Sequence, residues 1–162
     1  MLFRSSNWDV SKVIAMNKMF YSAASFNTDI SKWDVSSVTD MKEMFALTKR
    51  FNGDISNWDV SKVTTMNKIF YRAASFNTDI SKWDVSSVAD MLSRAASFNT
   101  DISKWDVSSV TDMKEMFALL KRFNGDISKW DVSKAIIMNK MFYSAASFNT
   151  DISKWDVSRV TD

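Results

Sequence analysis

Carboxylates are the chemically active side chains that recur most regularly in this sequence. One set lies in the phrase Phe-Asn-x-Asp-Ile, and a second set follows each Trp. The first set is Asp29, Asp54, Asp79, Asp101, Asp126 and Asp151. The second set is Asp9, Asp34, Asp59, Asp84, Asp106, Asp131 and Asp156. Carboxylates stacked about 5 Å apart repel one another, so each must be solvated, hydrogen-bonded to turn amides or bridged by a cation.

Hydrogen bonding to local turns is the chemistry that the sequence favours for these carboxylates, because Asp side chains commonly cap nearby backbone N–H groups. Calcium bridging is the alternative, but the chain has two Gly and therefore lacks the Gly-rich loops of calcium-binding β-rolls. A pair such as Asp29 and Asp34 could act as acid and base, but the same pair recurs in the other copies and nothing singles out one of them. Histidine and cysteine are absent. We therefore predict no enzyme, no cofactor, and no catalytic, cofactor-binding or metal-binding residues.

The elements that must position these side chains are copies of one unit. Seven Trp recur at spacings of 25, 25, 25, 22, 25 and 25 residues, each opening Trp-Asp-Val-Ser. A fixed period of this length indicates a solenoid of stacked repeats. We predict that residues 1–162 form a single solenoid of about six 25-residue repeats, one shortened to 22, with both ends inside a repeat.

Within a repeat, the pattern predicts one short strand and one short helix. Val38, Met41, Met44 and Phe45 have the spacing of one helical face, with Ser36 or Ser37 as the N-cap of a helix that begins near residue 37. The mixed apolar and polar residues near 27–31 predict a brief strand. The expected fold class is therefore an α/β solenoid, with short parallel strands stacked in one sheet and backed by short helices. The three residues missing after Met91 should shorten one helix without changing the register.

Stacked copies place identical side chains in columns. We expect the Phe, Ile, Trp and Met columns to form the core. An exposed Trp ladder that binds sugar or peptide is the alternative. The Asn column should form an amide ladder between repeats.

Charge and hydropathy exclude two classes of partner. Net charge is +2, and both signs alternate along the chain without a basic block, so we predict no nucleic-acid partner. No apolar run approaches the roughly 20 residues that a membrane helix requires, and residues 1–6 contain no hydrophobic signal region. We expect no membrane span and no secretion signal within this chain.

The phrase at residues 26–45, FNTDISKWDVSSVTDMKEMF, resembles the BspA-like leucine-rich-repeat family, in the variant found in mycoplasma-type surface lipoproteins. The resemblance covers nearly the whole chain. It implies a curved leucine-rich-repeat-like α/β solenoid at the cell surface or outside the cell, used for adhesion or protein binding and not for catalysis.

Two functions fit this reading. The first is a structural and binding scaffold that self-associates head to tail into filaments, because neither end of the chain carries a polar cap. The second is a fragment of a longer surface adhesin that binds host or partner proteins. The residues expected to mediate self-association are Trp8, Val10, Val13, Met16, Phe148, Ile152, Trp155 and Val157.

Overall fold

The computed structural model describes residues 8–86 and 91–162. Within these ranges the backbone forms no helices and no extended strands. Its ladder contacts are isolated parallel bridges between Ala15 and Asp40, Asp40 and Thr65, and Asp112 and Ile137. The predicted α/β leucine-rich-repeat-like solenoid, with stacked strands backed by helices, is therefore wrong.

Each repeat is instead one coil built from successive β-turns. In these turns, a backbone N–H donates to the C=O three residues earlier, as Val38 does to Val35 at 2.9 Å and Met44 does to Met41 at 3.1 Å. We number the coils from one Trp to the next. Coils 1 to 6 comprise residues 8–32, 33–57, 58–82, 83–104, 105–129 and 130–154, and residues 155–162 begin another coil.

Left-handed backbone conformations prevent the predicted helix from forming. Glu43 has a φ of 55° and Leu47 a φ of 64°, and each is the third residue of a turn, as in type II turns. The N–H of Phe45 consequently donates to the C=O of Ile69 in the next coil, at 2.9 Å. A helix would have used that N–H within its own segment. The other non-glycine residues with positive φ are Lys18, Ser22, Lys68, Arg72, Arg94, Glu115, Leu119, Lys140 and Ser144.

The strand predicted near residues 27–31 is also absent. Side-chain amides connect the coils there, because the Asn52 N–H donates to Asn27 Oδ1 at 3.0 Å. The chain then turns, with the Trp33 N–H donating to the Ile30 C=O at 3.1 Å. Like residues nevertheless stack in parallel, so the predicted Asn ladder is confirmed.

The core lies inside the coils and consists of the predicted apolar columns. The side chains of Val38, Met41, Met44 and Phe45 are all fully buried, so their common face was predicted correctly although the element was not. Stacked Phe pairs fill each full-length coil, as in the 4.1 Å separation between the ring centroids of Phe45 and Phe51. The Trp rings buried in this core are Trp33, Trp58, Trp83, Trp105 and Trp130. For these five rings, the alternative of an exposed aromatic ladder is wrong.

Coil 4 accommodates its three-residue deletion by losing part of a turn. The Phe70 N–H donates to the Met91 C=O at 3.2 Å, and Leu92 is fully buried. On the far side of the deletion, Trp105 Nε1 still donates to the C=O of Ile80 at 2.9 Å. The predicted register is confirmed, but the shortened element is a turn and not a helix.

Candidate functional surfaces

Each Asp column is used to close a turn. Asp34 Oδ1 accepts hydrogen bonds from the Ser36 N–H at 3.1 Å and from the Ser36 hydroxyl at 2.7 Å. Asp29 Oδ1 accepts from the Ser31 N–H at 2.9 Å. The same arrangement recurs in the other coils, so the predicted role of these carboxylates in turn capping is confirmed. Across residues 8–86 and 91–162, no three His, Cys, Asp or Glu side chains converge on a common metal position.

These hydrogen bonds also lower the pKa of most of the carboxylates. The hydroxyl and then the backbone N–H of Ser36 lower the pKa of Asp34, and they outweigh the opposing effects of desolvation and of repulsion by Asp59 and Asp9. In the other set, the backbone N–H of Ser81 is the largest cause of the lowered pKa of Asp79. Stacked acidic side chains are therefore tolerated because each accepts hydrogen bonds within its own coil.

Indole groups form a second connection between coils. Trp58 Nε1 donates to the Ile30 C=O at 3.2 Å, and Trp83 Nε1 donates to the Ile55 C=O at the same distance. The bond recurs at Trp105, Trp130 and Trp155. A buried ring and its hydrogen bond thus fix each coil in register with the coil before it.

The residues predicted for self-association divide into exposed and buried groups. Trp8 is 45% exposed and Val157 is 51% exposed. Val13, Phe148, Ile152 and Trp155 are partly buried against the core. Val10 and Met16 are buried within coil 1. The apolar surface at the two ends of the stack therefore comes from the first two groups, and their role in self-association stays a prediction.

A lateral surface that sequence reasoning missed lies on the turn-rich part of the coils. We define the turn face as the exposed side chains of residues 16–25, 41–50, 66–75, 91–97, 113–122 and 138–147. Backbone hydrogen bonds hold these segments against one another from coil to coil. The signal in the sequence was that the one Tyr-Arg pair, both Lys-Glu pairs and both Lys-Arg pairs fall in this one part of the repeat.

Cations pack on the tyrosine rings of the turn face. The guanidinium groups of Arg72 and Arg94 lie 5.3 and 5.8 Å from the centroid of the Tyr71 ring. The Lys18 ammonium lies 5.7 Å from the centroid of the Tyr21 ring. These distances are within the range of cation–π attraction, so the rings hold the cationic groups in place.

A cavity of about 300 Å³ opens on the turn face beside the short coil. Ala118, in its lining, is at the position that the larger Tyr71 and Tyr143 occupy in coils 3 and 6. Arg94 Nε is buried and has no hydrogen-bond partner. The cavity is lined by Arg94, Glu115, Ala118, Leu119, Lys140 and Tyr143.

Comparison with known proteins finds one family. The family described as "Mycoplasma protein of unknown function, DUF285" matches the chain twice, at residues 3–95 and 88–162. No curated protein and no solved structure matches it. Within the described ranges, no helix is long and apolar enough to cross a bilayer.

Proposed function

The chain belongs to this Mycoplasma repeat family of unknown function, and we propose that it is a non-catalytic structural and binding scaffold that self-associates head to tail. The near-identity of the coils carries this proposal. Residues 16–40 and 138–162 differ only at Ser37 and Arg159. The contacts that hold one coil on the next are therefore available between the last coil of one copy and the first coil of another.

The end coils expose the chemical groups that stacking uses. Trp155 is partly buried, whereas its copy Trp83 is 3% exposed, and Val157 is 51% exposed, whereas its copy Val132 is 1% exposed. Trp8 at the opposite end is 45% exposed. Docking these ends would extend the Trp column, and an interface of about 1,000 Å² or more is in the lower range of specific interfaces. Because the two docked surfaces differ, such contacts repeat without closing and produce filaments.

The absence of catalysis is part of the proposal. The regularly repeated Asp carboxylates accept hydrogen bonds from their own turns, and the chain has no His or Cys to act as base or nucleophile. The resemblance to BspA-like surface proteins supports a position at the cell surface or outside the cell. A segment of a longer surface adhesin is the second candidate, and the cationic turn face favours it because a lateral surface stays available to a partner.

Ile152→Lys tests head-to-tail assembly. Ile152 is partly buried against the core of coil 6, and a charge there should prevent another copy from docking on this end. Ile136→Lys is the matched control. It adds the same charge at a side chain that is already 36% exposed, and the Ile136 C=O accepts from the Thr161 N–H at 2.9 Å, so this C=O is not free for another copy. Thr39 and Thr64 occupy the equivalent position in coils 2 and 3, so a polar side chain is compatible with it.

Sedimentation and electron microscopy at about 100 μM protein distinguish the candidates. We expect filaments from the unaltered chain and from Ile136→Lys, and monomers from Ile152→Lys with an unchanged circular dichroism spectrum. An unaltered chain that sediments as a monomer would refute head-to-tail assembly and leave the adhesin segment as the better proposal.

A further inference from the structure

The coil fold separates charges that alternate along the sequence. The turn face holds eleven Lys and Arg but two acidic residues, Glu43 and Glu115, which gives it a net charge of +9. The remaining described residues carry nine Lys and Arg against sixteen Asp, a net charge of −7. The overall charge of +2 therefore conceals a strongly basic surface on one side of the stack, which raises the local concentration of anions.

Most cations of the turn face are available to a partner. Among the residues that the structure describes, one ion pair lies within 4 Å, between Lys18 and Glu43 at 3.7 Å. Ten of the eleven cationic side chains are exposed, and Arg94 is half-buried. Each of the six coils contributes at least one cation, exposed in five of them, and at about 4.8 Å per coil the cationic strip is roughly 29 Å long. A strip of this shape matches a linear polyanion better than a compact ligand.

Three polyanionic surfaces could occupy this strip, and the structure favours one of them. Single-stranded nucleic acids stack successive bases on several free aromatic ring faces, but the protein's own cations already pack on Tyr21 and Tyr71, which leaves Tyr143 as the single open tyrosine ring among the described residues. The part of a second copy outside its turn face carries sixteen carboxylates but also nine cations, so its negative field is weaker than that of a polyanion that carries no cations. An anionic polysaccharide needs cations and hydrogen-bond donors and no free ring face.

We propose that the turn face binds a linear anionic polysaccharide, a chain of sulfated or carboxylated sugars, with one acidic sugar in the cavity against Arg94 and Lys140. The cavity volume of about 300 Å³ is at the small end of ligand pockets and suits one sugar unit. Arg94 and Lys140 line it with two cationic side chains, and Tyr143, which is 57% exposed, forms a wall on which a sugar ring can pack. This surface is separate from the coil ends that mediate head-to-tail docking.

The chain itself supplies variants that test the strip without endangering the fold. Ala-Ser occupies residues 24–25, 74–75 and 146–147, at the positions of Lys49-Arg50 and Lys121-Arg122. The strip variant K49A/R50S/K121A/R122S therefore removes four charges with residues that the coil already accepts. The control K32N/K82N/K104N/K129N removes four charges from the other side, where Asn57 stands in the same column. Both variants have the same net charge.

Heparin is the probe, with neutral dextran and oligo-dT for comparison, measured at 50 mM and 500 mM NaCl on the full chain and on its Ile152→Lys variant. We expect micromolar binding of heparin that weakens steeply with salt. The strip variant should bind about tenfold more weakly, because it loses four exposed ion pairs, and a tenfold change of about 1.4 kcal/mol asks roughly 0.35 kcal/mol of each, which is within the range of exposed pairs. The control variant should change affinity by less than about twofold.

Several outcomes would overturn the proposal. Equal losses in the strip and control variants would show that net charge alone attracts heparin. Tighter binding of oligo-dT than of heparin would assign the face to nucleic acid, and self-association that high salt abolishes would assign it to the acidic side of a second copy. Lys140→Glu, which copies the residue at position 115, tests the cavity. Unchanged affinity in that variant would exclude the acidic sugar from this position. Head-to-tail assembly can fail without affecting these results, because Ile152→Lys should bind heparin normally.

Discussion

Replacing Trp83 with Ala tests the column of indole rings on which the stacking of coils depends. The Trp83 side chain is 3% exposed, and its ring centroid lies 6.4 Å from that of Trp58 and 5.8 Å from that of Phe70. Truncating a buried aromatic side chain to Ala costs about 3–5 kcal/mol through lost transfer free energy and the cavity left behind. Aromatic pairs add roughly 0.5–1.5 kcal/mol each beyond burial.

The lost indole hydrogen bond should contribute little to this cost. The Ile55 C=O accepts from Trp83 Nε1 at 3.2 Å, but it also accepts from the Trp58 N–H at 3.2 Å and so keeps a partner in the variant. A carbonyl with a remaining partner avoids most of the penalty of an unsatisfied buried group. We therefore expect the free energy of unfolding to fall by about 4 kcal/mol, mainly through lost packing.

Urea unfolding followed by circular dichroism measures the effect, and Trp8→Ala is the control. Trp8 has the same sequence neighbourhood and stacks on Trp33 at 6.3 Å, but it is 45% exposed. Its loss should cost less than about 1 kcal/mol. A cost below about 1 kcal/mol for Trp83→Ala, or equal costs for the two variants, would refute the packing argument. The urea m-value should be compared as well, because a lower m-value would mean that coils separate before the whole chain unfolds.

Two further predictions concern the turns and the carboxylates. Ser144→Gly should raise the free energy of unfolding by about 0.5–1 kcal/mol, because Ser144 has a φ of 52°, whereas Gly in a helix would lower it by about 1 kcal/mol. The exposed Ala146, which is outside the positive-φ group, is the control. Its change to Gly should destabilise the protein in the same urea assay. Thermal stability should be level between about pH 5 and 8, because the chain has no His, and should fall below about pH 4. Lowered pKa values stabilise the fold above the unfolded pKa, and this contribution is lost as the pH falls through the folded pKa; in this column they belong to Asp9, Asp34, Asp59, Asp106, Asp131 and Asp156. A melting temperature that changes between pH 6 and 7 would contradict this reading.

The sequence predicts the stacking and the core of this protein better than the backbone that produces them. The spacing of Val38, Met41 and Met44 fits the buried face of a helix, and a coil of turns places the same three side chains inside. Periodicity therefore cannot separate the two structures here. Local propensity favours the wrong one, because Glu43 and Leu47 are good helix formers but occupy turn positions that usually take Gly or Asn. Hydrogen bonds to the neighbouring coil, which no local pattern shows, decide the outcome.

A second, shorter period does distinguish the turn coil from a helix and strand. Each repeat contains an Asp, an apolar residue, two further residues and another apolar residue, as in the segments that begin at Asp29, Asp34 and Asp40. In each segment the Asp carboxylate accepts a hydrogen bond from the N–H two residues later. The next C=O then accepts from the N–H of the final apolar residue. An Asp that recurs every five or six residues is therefore evidence for successive capped turns.

Variation among the coils indicates where a partner can distinguish one part of the stack from another. Residues 26–35 recur as FNTDISKWDV or with changes only to Gly and Asn at residues 53, 57 and 125. Stacking demands this constancy, because each Asn side chain accepts from the backbone of its copy in the next coil and each Trp indole donates to an Ile C=O of the coil before it. The turn face is free of that demand at its exposed positions, where Lys alternates with Glu and Lys-Arg alternates with Ala-Ser. A ligand that binds at one place along the solenoid must therefore recognise the turn face, and the short coil, with its cavity beside Arg94, is the feature of that face that occurs once among the described residues.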